Sequence, residues 1–421
     1  MSLCSGNISE KSQRYEIFLV GKGLIMFFDY SEVRNIHLEV SEVCNAACPM
    51  CARFVGKGSR PNPELTHSVI DLQYFKIIFP PEFVKQLHFI NFCGVVGDPI
   101  TAKELIDQLK YLVECNPNIS FEISTNGGVR SQSWWKELAQ ICNSDKRFVS
   151  FSIDGLEDTN HLYRRNVQWH KLMENVKAFI QAGGHAKWQF LIFKHNEHQQ
   201  DEVKKLAKEL EFQECNFKLT NRFVKNNDTI SMPVENIENT KKLLELEETV
   251  TRKSSPPPGM LFMSTPLDKS QPITIPANFK YNVSDLKTKK STHALEPASD
   301  FKPKEFTIEQ LENATIECSV WKKHEIYITA RGEIVPCCYL GGRTGRVIQV
   351  DKSYKKIVEK VQGFDSLVVT ESRSIKDIME SSYFRDIIES WKIKKIEDGR
   401  ISTCAEKCGL NNRVIHNKVK I

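Results

Sequence analysis

The chain has 421 residues, an ordinary apolar share of 40% and a formal net charge of +5 spread along its length. That length can bury a large core in roughly one to three domains; the dispersed charge by itself argues neither for nor against nucleic acid, whose footprint would be a concentrated basic face, and no specific nucleic-acid binding is expected. No apolar run is long enough to span a bilayer, and the 13 cysteines, an odd number, suit metal ligands in a reducing cytoplasm better than a secreted disulfide framework.

Residues 1–35 read as an N-terminal arm. The stretch IFLVGKGLIMFF comes nearest to a signal-peptide core, but Lys22 interrupts it and no small-residue cleavage site follows. From 36 to 224 strand and helix patterns alternate. Strands are expected at 36–40, 87–93, 119–124, 148–153, 187–193 and 216–219. Helical spacing appears in 101–114, through Leu105, Ile106, Leu109, Leu112 and Val113, and in 200–212, through Val203, Leu206, Ala207 and Leu210. This alternation predicts parallel βα units in an α/β fold, an open sheet or a barrel. Six units are fewer than the eight of a closed barrel. Polar and glycine clusters follow each strand in turn: CNAACPMC, GVVGDP, TNGG, DG, KHNE and TNR. These are the strand ends where such folds place their active sites.

Residues 225–305 break the pattern. They are rich in Lys, Ser, Thr and Pro and read as a linker or variable loop, with only 237–250 helical. Residues 306–421 carry a second group of cysteines. There HEIYITARGEIVPCC predicts a β-hairpin turning at Arg331 and Gly332, and 374–392 predicts a helix or a helix pair.

Cys44, Cys48 and Cys51 stand on one short loop after the first strand. Three thiolates can hold three corners of a four-iron cluster and leave one iron open, whereas a zinc site needs a fourth ligand, for which His67 is the nearest candidate. The spacing C-x3-C-x2-C resembles that of the radical SAM enzymes. The resemblance implies a partial (β/α)6 TIM-like barrel and a 4Fe-4S cluster whose open iron chelates S-adenosylmethionine (SAM). It also implies reductive cleavage of SAM to a 5′-deoxyadenosyl radical, and a flavodoxin- or ferredoxin-type electron donor as partner.

Further positions resemble the family's SAM-binding residues in the expected order. Gly97, Asp98 and Pro99 resemble its Gly-Gly-Glu-Pro motif, with Asp98 at the glutamate and Val96 at the first glycine. Ser124 and Asn126 close the third strand, Asp154 closes the fourth, Arg164 and Arg165 follow it, and Asn196 comes after the fifth. Short polar side chains at strand ends suit ribose hydroxyls, and a guanidinium suits a carboxylate. Asn196 also suits a helix cap. Met50 corresponds to the apolar residue that packs near the adenine in the family.

The series Cys318, Gly332, Cys337 has the spacing C-x13-G-x4-C, and Cys404 and Cys408 follow later with three residues between them. It resembles a SPASM or twitch module, which implies a small C-terminal α+β domain holding one auxiliary 4Fe-4S cluster. The same four thiolates also suit a structural zinc ion. Cys338 is a spare, and Cys4, Cys93, Cys115, Cys142 and Cys215 read as small apolar residues. Enzymes with such a module mostly oxidise or crosslink peptide or protein side chains, so that substrate is expected first. A small alcohol or sugar-like metabolite is the second expectation, and a non-catalytic zinc- or cluster-binding interaction protein is the reading from another class.

Overall fold

The computed structural model describes residues 28–49, 51–55, 60–219, 230–231, 294–300, 306–345 and 347–409. Met50, Cys4, the TNR stretch, the helix expected at 237–250 and most of 225–305 lie outside the described residues.

The six expected strands form, each within two residues or so of its expected bounds. They are β1 (Asn35–Leu38), β2 (Phe89–Phe92), β3 (Ser120–Thr125), β4 (Arg147–Ser152), β5 (Ala186–Ile192) and β6 (Glu214–Leu219). All are parallel, and each pairs with the next in chain order. The C-terminal hairpin also forms, from β7 (Glu325–Ile328) and β8 (Ile334–Val335), with Gly332 at a φ of 77° in its turn. It joins the barrel's own sheet. β7 runs parallel to β1, with Asn35 opposite Glu325 and Leu38 opposite Ile328, and β8 folds back antiparallel as the outer edge. The order is therefore β8-β7-β1-β2-β3-β4-β5-β6, an open sheet and not a closed barrel.

The longer helices between these strands are α1 (Leu72–Ile78), α2 (Leu105–Cys115), α3 (Gln132–Ala139), α4 (Trp169–Gln181) and α5 (Gln200–Glu209). Local chemistry starts them: Asp71 Oδ1 accepts from Tyr74 N at 2.7 Å, and Ser131 Oγ accepts from Trp134 N at 3.3 Å. Strand alternation sends Ile36, Leu38, Ile90, Phe92, Phe121, Ile123, Val149 and Phe151 into the core. Trp135 of α3 lies 5.3 Å from the ring of Phe151 and meets Phe179 of α4 edge-on at 6.0 Å. Its indole N–H donates to Val129 O at 3.0 Å, so the large ring is buried without an orphaned donor. Each such side chain contributes about 1.5–3 kcal/mol by burial.

The other face of the sheet is polar. Asn91, Glu122, Ser124, Ser150, Ser152, Gln189 and Asn216 alternate with those core residues, and the register sets Ser124 beside Ser150 and Ser152 beside Gln189. A filled barrel would carry bulky aliphatic layers here. This polar surface leads to the strand ends that bear the candidate site.

The C-terminal part adds α6 (Lys352–Lys360), α7 (Ser382–Lys392) and α8 (Ser402–Cys408). The segment 374–392 resolves into the expected pair, a short helix Ile375–Met379 followed by α7. Ser374 and Ser381 cap the two, each accepting a backbone N–H at 3.3 Å. Among the described residues no helix is long and apolar enough to cross a membrane.

Candidate functional site

The loop that leaves β1 carries Cys44, Cys48 and Cys51. Cys51 N donates to Cys48 O at 3.0 Å, which turns the chain tightly between the last two thiols. Donors approach each sulfur. Ala46 N lies 3.4 Å and Asn126 Nδ2 3.7 Å from Cys44 Sγ, Arg164 Nη1 lies 3.8 Å from Cys48 Sγ, and Arg53 N lies 3.5 Å from Cys51 Sγ. Burial pushes the Cys48 thiol up to about 11 and also raises Cys44, and the neighbouring thiols raise both further. As thiolates they would repel one another, so this trio calls for a cationic group between them. Among the described residues no three His, Cys, Asp or Glu gather about one metal-ion position. Fit is therefore judged on donor chemistry. Soft thiols ringed by N–H donors match a cluster's ligands and the hydrogen bonds that tune its sulfurs.

The GVVGDP loop after β2 packs directly on this loop. A Cβ on Gly97 would sit 1.7 Å from Ser41 O, so glycine alone permits the approach. Asp98 N donates to Val43 O at 2.8 Å. Asp98 Oδ2 accepts from Asn126 N at 2.8 Å and from Asn126 Nδ2 at 2.7 Å, while Oδ1 accepts from Ile100 N at 3.2 Å. The carboxylate thus brackets the ends of β2 and β3, and its burial raises its pKa. Pro99 opens a short 3-10 turn, Pro99–Thr101. Asn126 Nδ2 also reaches Asn45 Oδ1 at 2.9 Å, and the buried Asn45 Nδ2 beside it has no partner among the described residues. That open donor next to the cysteines fits a site built to receive a further polar group. Ser124 stands on the polar face of β3, opposite Ser150 of β4.

At the end of β4, Asp154 Oδ1 accepts from Leu191 N at 2.6 Å, and Oδ2 pairs with Arg164 Nε at 2.6 Å. The Asp154 side chain is fully buried and that of Arg164 is 17% exposed. This pair holds the guanidinium's other end toward Cys48. Arg165 contributes its carbonyl, which accepts from Ala47 N at 3.0 Å. Asn196 is fully buried. Its Nδ2 donates to Asp154 O and Leu191 O, both at 2.9 Å, and its Oδ1 accepts from Phe193 N at 2.7 Å. It ties the ends of β4 and β5 together, and its side chain makes no cap bond to the turn that follows.

Sequence reasoning passed over four residues here. Glu39 Oε1 accepts from Val96 N at 2.7 Å and Gly97 N at 3.1 Å, and its Oε2 accepts from Tyr327 OH at 2.7 Å. Glu42 Oε1 pairs with Arg331 Nε at 2.9 Å. Arg53 Nη1 donates to Glu42 O and to Val96 O. Asn45 is the fourth. The available signal was two acidic residues at the mouth of an apolar strand.

The C-terminal cysteines come together as well. Cys318, Cys337, Cys404 and Cys408 all line one small cavity with Trp391. Glu317 N donates to Cys408 O at 2.9 Å, which sets Cys318 against Cys408. Cys404 and Cys408, four residues apart on α8, share a helix face. Asp351 Oδ2 anchors the start of α8 by accepting from Thr403 N at 3.0 Å and Ser402 Oγ at 2.8 Å. The Cys408 contact and burial raise Cys318, and burial raises Cys337 to about 12. Cys338 is not part of that lining. Burial raises its thiol, as does the charge of Cys93 and Glu39 near the polar face.

Residues 38–210 match the family described as the Radical SAM superfamily. Over 162 residues the chain is 27% identical to the FeMo cofactor biosynthesis protein NifB of Methanocaldococcus jannaschii, a match covering 36% of this chain and 52% of that protein. The chain spans about half the length of the curated relatives it matches. Among solved structures, native anSMEcpe with bound AdoMet is 16% identical, with a TM-score of 0.46 over 89% of this chain and 88% of that one. Streptococcus suis SuiB bound to precursor peptide SuiA is 14% identical, with a TM-score of 0.44 over 90% of this chain and 76% of that one.

Proposed function

We propose that this chain, which carries a radical SAM domain over residues 38–210, reductively cleaves SAM and abstracts hydrogen from a substrate. The observation that carries the reading is the junction of two loops. Cys44, Cys48 and Cys51 lie against Gly97, Asp98 and Asn126, with N–H donors aimed at the sulfurs and Asn45 Nδ2 left open. Cys44, Cys48 and Cys51 would hold a 4Fe-4S cluster, and Gly97, Asp98, Asn126 and Arg164 border the place for SAM. When bound, cluster and SAM supply one-electron cleavage to 5′-deoxyadenosine chemistry. The protein's own part is to fix the thiols, bring the Arg164 charge to Cys48, and bring the GVVGDP loop onto the cluster loop.

Cys318, Cys337, Cys404 and Cys408 would hold an auxiliary cluster, and a flavodoxin- or ferredoxin-type protein would supply the electron. The resemblance of this C-terminal cysteine series supports a peptide or protein side chain as substrate, modified by oxidation or crosslinking. The polar face of the sheet favours a second reading alongside it, a hydroxyl-bearing small alcohol or sugar-like metabolite. Asn91 Oδ1, Ser150 Oγ and Gln189 Oε1 are buried there without partners among the described residues. The test is anaerobic reconstitution followed by dithionite. The parent should bind about four irons at this loop and form 5′-deoxyadenosine. The variant with Cys44, Cys48 and Cys51 all changed to Ala should form none. Product at the parent's rate from that variant would overturn the reading.

A further inference from the structure

The two carboxylates that follow β1 are used in the same way. Glu39 gives one oxygen to Val96 N and Gly97 N in the GVVGDP loop and the other to the Tyr327 hydroxyl on β7. Glu42 gives Oε2 to Thr66 N and Ser68 N, at 3.0 and 3.1 Å, and pairs Oε1 with Arg331 in the hairpin turn. Both are buried, at 1% and 2% exposure. Burying a carboxylate is costly unless its oxygens are matched by donors. Here each is matched by donors from two parts of the chain, one of which, Tyr327 or Arg331, lies nearly 300 residues beyond the carboxylate.

We propose that Glu39 is a positioning residue for SAM: it fixes the Val96–Gly97 backbone for the cofactor and makes that fix depend on the C-terminal hairpin through Tyr327. This rests on the radical SAM reading above. Gly97 packs so closely that an added Cβ would meet Ser41 O. Asp98 N to Val43 O and Arg53 Nη1 to Val96 O hold the loop as well, and Glu39 is the side chain that receives two of its N–H groups in succession. Tyr327 sits opposite His37 in the β1–β7 register, and it is the hairpin's hydroxyl that reaches Glu39 Oε2. The hairpin thereby becomes part of the SAM site, and the region bearing Cys337 acquires a physical path to it.

The test uses the full reconstituted chain and three variants, Glu39→Ala, Glu39→Gln and Tyr327→Phe. Iron content is measured first, then KM and kcat for reductive SAM cleavage. SAM is also titrated against the reduced cluster and followed by its electron paramagnetic resonance signal. Glu39→Ala should raise KM and the half-saturation point about tenfold or more with kcat within about twofold, because only placement is lost. Glu39→Gln keeps an acceptor for the loop, so it should restore KM to within about threefold of the parent. Tyr327→Phe keeps Glu39 and cuts the hairpin link, so it should raise KM several-fold. An unchanged KM in iron-loaded Tyr327→Phe, or a loss confined to kcat in Glu39→Ala, overturns the proposal. If Glu39→Ala fails to load iron, Tyr327→Phe and Glu39→Gln decide it. A parent that forms no 5′-deoxyadenosine removes the radical SAM reading instead.

Discussion

Buried charge is concentrated around the cysteine loop after β1, and its pH behaviour can be derived residue by residue. Burial raises the Glu39 carboxyl from 4.5 to about 7, against the lowering effect of its three donors. The folded chain therefore holds this proton more tightly than the unfolded chain. Glu39's contribution to stability is full below pH 4.5 and falls as pH rises through about 7. Glu39→Gln carries no such proton. Its stability relative to the parent should rise between pH 5 and pH 8, by about 3 kcal/mol at most. Urea midpoints of the two chains at both pH values measure it, and a difference that does not move would show that the donors outweigh burial. Asp154 and Arg164 make the opposite case, because each needs the other: Asp154→Ala strands a buried guanidinium and should cost about 3–5 kcal/mol in the same assay. The thiols of CNAACPMC were legible in the sequence because three cysteines on eight residues have few other uses. Glu39 was not. In a strand pattern one glutamate reads as an ordinary polar position, and only the folded chain shows what lies against it.

Strands and helices were legible for the same reason throughout: alternation and helical spacing are local, and the sheet follows them from β1 to β6. Strand partners outside that chain-order run were not. Nothing in HEIYI announces that it will pair with β1 in parallel register, because the two segments lie far apart in the chain and no local period encodes the pairing. The loop between β2 and α2 gives the sharpest test at this scale. Gly97 meets backbone, not a movable side chain, so Gly97→Ala forces the GVVGDP loop away from Ser41 O, and Asp98 and Asn126 with it. Iron loading should survive, since no thiol moves directly, while SAM cleavage should fall more than tenfold. Parent-like cleavage by a folded, iron-loaded Gly97→Ala would show that this loop does not serve the cofactor.

For the whole molecule the question is how the two groups of cysteines depend on each other. The hairpin belongs to the barrel's sheet, whereas Cys404 and Cys408 belong to α8, which is anchored through Asp351. Removing the α8 thiols therefore deletes two of the four cavity cysteines and leaves the β1–β7 pairing and the Tyr327–Glu39 bond intact. Four protein thiolates leave no open iron, so a cluster held there can pass electrons or brace the fold but cannot chelate SAM. A chain with Cys404 and Cys408 both changed to Ala should carry about half the parent's iron, keep uncoupled 5′-deoxyadenosine formation within about twofold, and lose substrate modification. Metal binding and folding are coupled, so circular dichroism and an unfolding midpoint come first. Zinc in place of iron in the Cys44, Cys48 and Cys51 variant would assign the cavity to a structural ion and leave the proposal for Cys44, Cys48 and Cys51 untouched. A well-folded Cys404 and Cys408 variant that cleaves no SAM would mean that the cavity's occupant reaches the GVVGDP loop. Tyr327→Phe would then reproduce that loss only if the path runs through Glu39.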